Sequence, residues 1–204
     1  MKKIKAFIFD ADWVLIKLTS HFSEFFSQEY NIPYSKIWPF FEDEFKQCVV
    51  WKWDLRQRMI PKLQEWNRTG TIDELLIFRF EYASKIDQRL VQIIQDLRAK
   101  WYKCYLASNQ EKYRIEYMRN VMWISSFFDA IFVSCELWYK KPHLEFYQKT
   151  YEKIIDDIDA SKDEVLFIDD KENNTEKAKE FWFKSFLYSD FDEFNSLCEA
   201  YLGK

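Results

Sequence analysis

Side chains able to do chemistry fall at four ordered places in this 204-residue chain, each just after a short apolar run. The first, Phe7-Ile8-Phe9-Asp10-Ala11-Asp12, sets two carboxylates two residues apart. Leu106-Ala107-Ser108-Asn109 supplies a hydroxyl and an amide, Lys140-Lys141-Pro142 two ammonium groups, and Phe167-Ile168-Asp169-Asp170 a second acidic pair with Asn174 four residues on. Carboxylates act as nucleophiles, as general acids or bases and as ligands for hard cations. In a turn leaving a strand, Asp10 and Asp12 can face one cleft. Each group also has a plain structural alternative. Asp10, Asp12 or Ser108 can cap a helix, Lys140 can be a solvated charge, and one member of the Asp169–Asp170 pair can merely support its loop.

Those side chains converge only if the apolar runs are neighbouring strands. Ile4 to Phe9 is nearly continuous in apolar residues and ends in acid, which suits a strand buried on both faces of a parallel sheet. Similar runs recur at 103–107, 130–133 and 165–168. Between them the spacing is helical. Leu90, Ile93, Ile94 and Leu97 follow Asp87 as N-cap, and Phe194, Leu197, Cys198 and Tyr201 repeat the pattern near the C-terminus. Strands alternating with helices predict a doubly wound α/β parallel sheet, whose site lies at the carboxyl ends of the strands.

Residues 17–84 break the alternation, with amphipathic helical patterns and no convincing strand. We therefore expect a core of residues 1–16 and 85–204 and a helical insertion over 17–84. Its first helix carries Phe22, Phe25 and Phe26, its second Ile37, Phe40, Phe41 and Phe45, and its last Leu75, Leu76, Phe78 and Phe80 behind Asp73. These aromatics read as the core of the insertion.

Lys and Arg total 30 against 34 Asp and Glu, a net charge of -4 that gives no reason to expect nucleic acid or an anionic membrane as partner. The Met1-Lys2-Lys3 start is signal-like, but the apolar run after it is interrupted by Lys5 and ends at Asp10, too short for a signal peptide. No stretch approaches a membrane span. Cys48, Cys104, Cys135 and Cys198 form no C-x-x-C pair, so neither zinc nor a disulfide framework is indicated. The expectation is a cytoplasmic protein with reduced thiols. Nothing in the sequence speaks to oligomeric state.

With these four motifs in this order, the chain resembles the haloacid dehalogenase superfamily over essentially its whole length. Within it, the match is to the phosphatase branch with a helical cap inserted after the first motif. A lone D-x-D is a weak signal, whereas four ordered motifs are specific. The resemblance implies a Rossmann-like core and a Mg²⁺-dependent phosphatase acting on a small phosphorylated metabolite. Asp10 then attacks phosphorus and forms an aspartyl-phosphate, while Asp12 protonates the leaving alcohol and later activates water. Ser108 and Asn109 bind the phosphoryl group and Lys141 neutralises its charge. Mg²⁺ is held by the carboxylates of Asp10 and Asp170, with Asp169 close by, and by the backbone carbonyl of Asp12. Asn174 orients the metal side of the site. His143 stands where many relatives carry Asp, which puts a capping role there in question, and His21 lies near the cap entrance. Asp12 favours phosphoryl transfer over dehalogenation. A phosphomutase is an alternative, for which Lys52, Arg56 and Arg58 are candidates for a second phosphate site. A catalytically silent binding module on the same fold is another.

The sequence holds only two glycines, where average usage gives about 14, and nine tryptophans. Trp13 stands where the family pattern places glycine after the D-x-D pair. Trp101, Trp123, Trp138 and Trp182 likewise occupy family glycine positions, several just after helices, where a left-handed residue is usual. Trp51 and Trp53 are weaker candidates, Trp38 is undecided and Trp66 reads as genuine. We expect that UGA encodes glycine in this gene and has been read here as tryptophan.

Overall fold

Alternation within the strands explains the sheet. The computed structural model of the protein describes residues 3–203, so Met1 and Lys2 of the signal-like start, and Lys204, lie outside the described residues. In β1 (Ala6–Phe9), Phe7 and Phe9 enter one apolar layer while Ala6 and Ile8 enter the other. β2 (Lys103–Ser108) sends Cys104 and Leu106 one way and Tyr105 and Ala107 the other. Both layers are buried, as a parallel sheet covered on two faces demands. β3 (Ala130–Val133), β4 (Val165–Asp169) and β5 (Lys184–Leu187) complete an all-parallel sheet in the order β3-β2-β1-β4-β5. The central strand is β1, and Phe9 pairs with both Leu106 and Ile168. The residues following these three positions therefore emerge side by side.

Between residues 17 and 85 the elements are all helical: α1 (Phe22–Glu29), α2 (Tyr34–Pro39), a π-helical turn at Phe40–Glu44, α3 (Phe45–Val49), α4 (Leu55–Glu65) and α5 (Ile72–Tyr82). They enclose a third apolar cluster that includes Phe26, Ile37, Phe40, Met59, Leu76 and Phe80. The run from Ile37 to Phe45 is not one helix, because Pro39 lacks the N–H that a helix interior needs and the π-turn takes over there. Thr71, not Asp73, caps α5, in a capping box with Glu74. Chain entry and exit are tied together. Lys17 N–H donates to Lys85 O at 2.8 Å and Asp87 N–H to Leu15 O at 2.9 Å.

The remaining helices cover the sheet. α6 (Gln88–Ala99), α7 (Lys112–Asn120) and α11 (Phe191–Leu202) pack on the Phe7–Phe9 layer. α9 (Leu144–Asp157) and α10 (Glu172–Glu180) pack on the other, reached through the short α8 (Ser134–Leu137). Asp87 caps α6 as expected, accepting from Arg89 N–H. Ser108 does not cap α7, whose N-cap is Glu111, and the His143 side chain makes no capping bond to α9.

Six tryptophans adopt left-handed backbone angles: Trp13, Trp51, Trp101, Trp123, Trp138 and Trp182, with φ between 55° and 76°. The five expected positions all do so and Trp51 joins them, while Trp38, Trp53 and Trp66 do not. Left-handed geometry costs a residue with a Cβ about 1–2 kcal/mol, and Trp101 at 92% exposure has no packing to offset it.

Candidate active site

Where β1 ends, Asp10 N–H continues the ladder by donating to Ile168 O at 2.9 Å, which points its buried side chain into the crevice between β2 and β4. Ala11 N–H donates to Asp10 Oδ1 at 2.7 Å. Lys141 lies opposite, 3% exposed, with Nζ 2.9 Å from Asp10 Oδ1 and 2.6 Å from Asp169 Oδ2. The same ammonium donates to Ala107 O at 2.9 Å. Its backbone is held by Asn109, whose amide donates to Lys141 O at 3.0 Å and accepts from Lys141 N–H at 2.8 Å. Asn109 thus acts on the lysine as well as lining the cleft. Asp169 Oδ1 accepts from Asn174 Nδ2 at 2.8 Å and from Lys171 N–H at 3.0 Å.

Burial sets the electrostatics. Removal from water pushes the Asp10 carboxyl up to about 7; Lys141 pulls it back and Asp169 adds to the rise. Burial works against the Lys141 charge, yet Asp10 and Asp169 hold that ammonium above its ordinary range. Burial and then Asp169 likewise raise Asp170. Ligand oxygens of Asp10, Asp169 and Asp170 all lie within 4.8 Å of one another. Were all three carboxylates ionised against the one ammonium, the cluster would carry two uncompensated negative charges, and Asp170 Oδ1 is buried with no hydrogen-bond partner. An uncompensated all-oxygen cluster of that charge fits a hard divalent cation.

Asp12 stands one turn beyond. Its Oδ2 accepts from Gln110 Nε2 at 2.9 Å, and its Oδ1 is buried without a partner. Gln110, 3% exposed, also donates to Ser108 Oγ at 3.2 Å. Sequence reasoning missed this residue, because a single glutamine after Ser-Asn carries no pattern. Every site residue expected from sequence is nevertheless at this crevice. Asp10, Asp12, Ser108, Asn109, Lys141 and Asn174 border a cavity of about 360 Å³ between sheet and helical insertion, and Asp169 and Asp170 stand beside it through Lys141 and Asp10.

The insertion supplies Phe22, Trp38, Phe41 and Phe45 to the far wall, with Lys46 and Arg79. Lys140 also lines the cavity and is not simply a solvated charge; burial, and Lys46 after it, depress its ammonium. His21 lies there too, its ring 5.8 Å from that of Trp13. The proposed second phosphate site does not form in this cavity. Arg56 is engaged by Asp73, Arg58 stacks on Trp53 at 4.0 Å, and Lys52 borders a separate recess.

A parallel sheet in this order, with an acidic D-x-D turn leaving its central strand and a lysine facing it, belongs to a known class of hydrolase. The family model for haloacid dehalogenase-like hydrolases matches residues 7–187, and the chain belongs to that family. Among curated proteins, a sesquiterpene phosphatase of Aspergillus oryzae is 30% identical over 93 residues, 46% of this chain and 45% of the fungal protein. The matched region thus spans less than half of that relative. Among solved structures, a HAD family enzyme of Bacteroides thetaiotaomicron superposes with a TM-score of 0.82 at 18% identity, over 96% of this chain and 98% of the other. The same enzyme in a magnesium complex gives 0.79 at 20% identity over the same shares. A predicted HAD-like hydrolase of Porphyromonas gingivalis gives 0.80 at 19% identity, with both chains covered completely. At such identities these likenesses establish the shared fold. No helix of the described residues is long and apolar enough to cross a membrane.

Proposed function

We propose that this hydrolase is a Mg²⁺-dependent phosphatase acting on a small phosphorylated metabolite, with residues 17–84 as a cap over the cleft. The observation that carries the proposal is the placement of two carboxylates, Asp10 and Asp12, on one turn facing a cavity whose floor is charged by Lys141. Asp10, Asp170 and the Asp12 backbone carbonyl would hold Mg²⁺, which would supply positive charge to offset that of the phosphoryl group. Asp169 serves chiefly through Lys141 and Asn174.

In the first step an Asp10 oxygen bonds to phosphorus, the ester P–O bond breaks, and its electron pair leaves with the alcohol oxygen, which takes a proton from Asp12. Asp12 then accepts a proton from water as that water attacks phosphorus. The Asp10–phosphorus bond breaks, and inorganic phosphate leaves. Ser108 donates to the phosphoryl oxygens, and Lys141 offsets charge on them, which is most of what a loose phosphoryl transition state requires. The aromatic wall from the cap excludes water. Release of p-nitrophenol from p-nitrophenyl phosphate, present with Mg²⁺ and absent with EDTA or in Asp10→Asn, tests the proposal. A well-folded protein with no Mg²⁺-dependent turnover of any phosphate ester favours instead a silent binding module, the reading that an indole at position 13 of the cleft supports.

A further inference from the structure

Gln110 is tied to both halves of the site by its side chain and to the cap by its backbone. Its Nε2 reaches Asp12 Oδ2 and Ser108 Oγ. Its N–H donates to Ser134 Oγ at 3.0 Å, and that hydroxyl in turn donates to Val49 O at 2.8 Å on the cap. An amide nitrogen only donates, and the unprotonated oxygen of a carboxyl is the better acceptor, so the contact to Oδ2 favours the acid proton on Oδ1, the oxygen for which the protein offers no partner. We propose that Gln110 is the positioning residue that presents the Asp12 proton to the leaving oxygen while fixing the Ser108 hydroxyl beside it. This assignment rests on the phosphatase proposal above.

Gln110→Met keeps the length of the side chain and removes the donor, while the backbone ties to Ser134 persist. p-Nitrophenolate departs readily without a proton and phenolate much less so. The expected result is a kcat loss at least about tenfold greater on phenyl phosphate than on p-nitrophenyl phosphate, with KM changed by less than about twofold. Equal fractional loss on the two esters, or no loss, overturns the role of Gln110 alone. A wild-type protein inactive on both esters overturns the phosphatase proposal and this assignment with it.

A separate observation, in the backbone, supports a second inference. Trp51, Trp101 and Trp182 each sit in the left-handed position of a helix-ending motif, in which the next N–H reaches back across the last turn: Lys52 to Gln47 O at 2.9 Å, Tyr102 to Leu97 O at 3.1 Å and Phe183 to Ala178 O at 3.0 Å. Equivalent positions after α1 and α4 hold Asn31 and Asn67, and Gly203 ends α11. Glycine and asparagine are the residues such positions select. Tryptophan is not, and Trp101, Trp123, Trp138 and Trp182 project into solvent at 62–92% exposure. Trp66 shows the contrast, with ordinary φ, 3% exposure and an indole N–H donating to Lys36 O. We infer that the cell's own protein carries glycine at positions 13, 51, 101, 123, 138 and 182, all read from UGA codons, and tryptophan at 38, 53 and 66.

Peptide mass spectrometry of the protein from its natural source is expected to show glycine masses at the six positions and tryptophan at Trp66. For recombinant protein, replacing all six by glycine is expected to raise Tm by about 2–4 °C per site, whereas Trp66→Gly lowers it. Tryptophan-bearing peptides at the six positions, or a six-glycine protein no more stable than the tryptophan form, overturn the inference.

Discussion

Lys141 Nζ lies 2.6 Å from Asp169 Oδ2, nearer than to the Asp10 carboxylate it also faces, and the Asp169 side chain is completely buried. The lysine is therefore clamped from behind by a carboxylate whose other oxygen is held by Asn174 and the Lys171 N–H. It approaches the substrate side as a fixed charge.

Removing that charge leaves two buried carboxylates facing each other. Lys141→Ala is expected to lower kcat by about 10²-fold or more and to destabilise the metal-free fold by roughly 3–5 kcal/mol near neutral pH. Because the orphaned carboxylates relieve their repulsion by taking up protons, the stability gap to wild type should narrow at pH 5. Urea melts at pH 5 and pH 8 read this directly, and a gap that widens at pH 5 rules the account out.

Asp170 Oδ1, buried without a partner, is the oxygen best explained by a cation. Asp170→Asn is expected to raise the Mg²⁺ concentration for half-maximal phosphatase activity by roughly 10–100-fold, with excess metal recovering much of the rate. Unchanged Mg²⁺ dependence would place the ion elsewhere.

Asp87 is pulled down to about 2, first by its hydrogen bonds to Arg89 and then, against the opposing effect of burial, by Lys17. A carboxyl lowered from 3.8 in the unfolded chain contributes stability that is complete above about pH 4 and lost as pH falls toward 2. Asp87→Asn should keep the helix cap and lose this contribution, so the variant is less stable at pH 7 and equals wild type near pH 2. Chemical denaturation across that range tests it; a difference independent of pH points to packing.

Arg114 is buried against the exit of the cap. Its guanidinium donates to Phe80 O at 3.2 Å and to Ala83 O, and burial pushes it down to about 10. Arg114→Met leaves both carbonyls without a donor and is expected to cost about 2–3 kcal/mol, with hydrogen-exchange protection lost first at the end of α5. Uniform loss of protection across the sheet would contradict a local clamp.

Legibility in the sequence followed burial. β1, β2 and β4 announce themselves because two covered faces leave no room for polar residues, and the chemistry sits at their ends. β5, with Lys184 and Ser185 and only partial burial, lacks that signature and escapes. The convergence of Asp10, Lys141 and Asp169 on one crevice was readable from three of the four local motifs. Gln110, Arg79 and Arg114 were not, since each acts on a partner more than 30 residues away, such as the Arg79–Glu111 ion pair at 3.0 Å. Distance in sequence hides such pairs even when every residue type is known.

The paired stretches of chain at Leu15–Lys17 and Lys85–Asp87 close the helical insertion at a single neck. The turn that carries Asp10 and Asp12 lies on the core side of that neck and feels the insertion through side-chain ties such as Ser134 to Val49. The stretch that walls the far side of the cleft and the stretch that carries the carboxylates are thereby separate lengths of chain meeting at one closed neck.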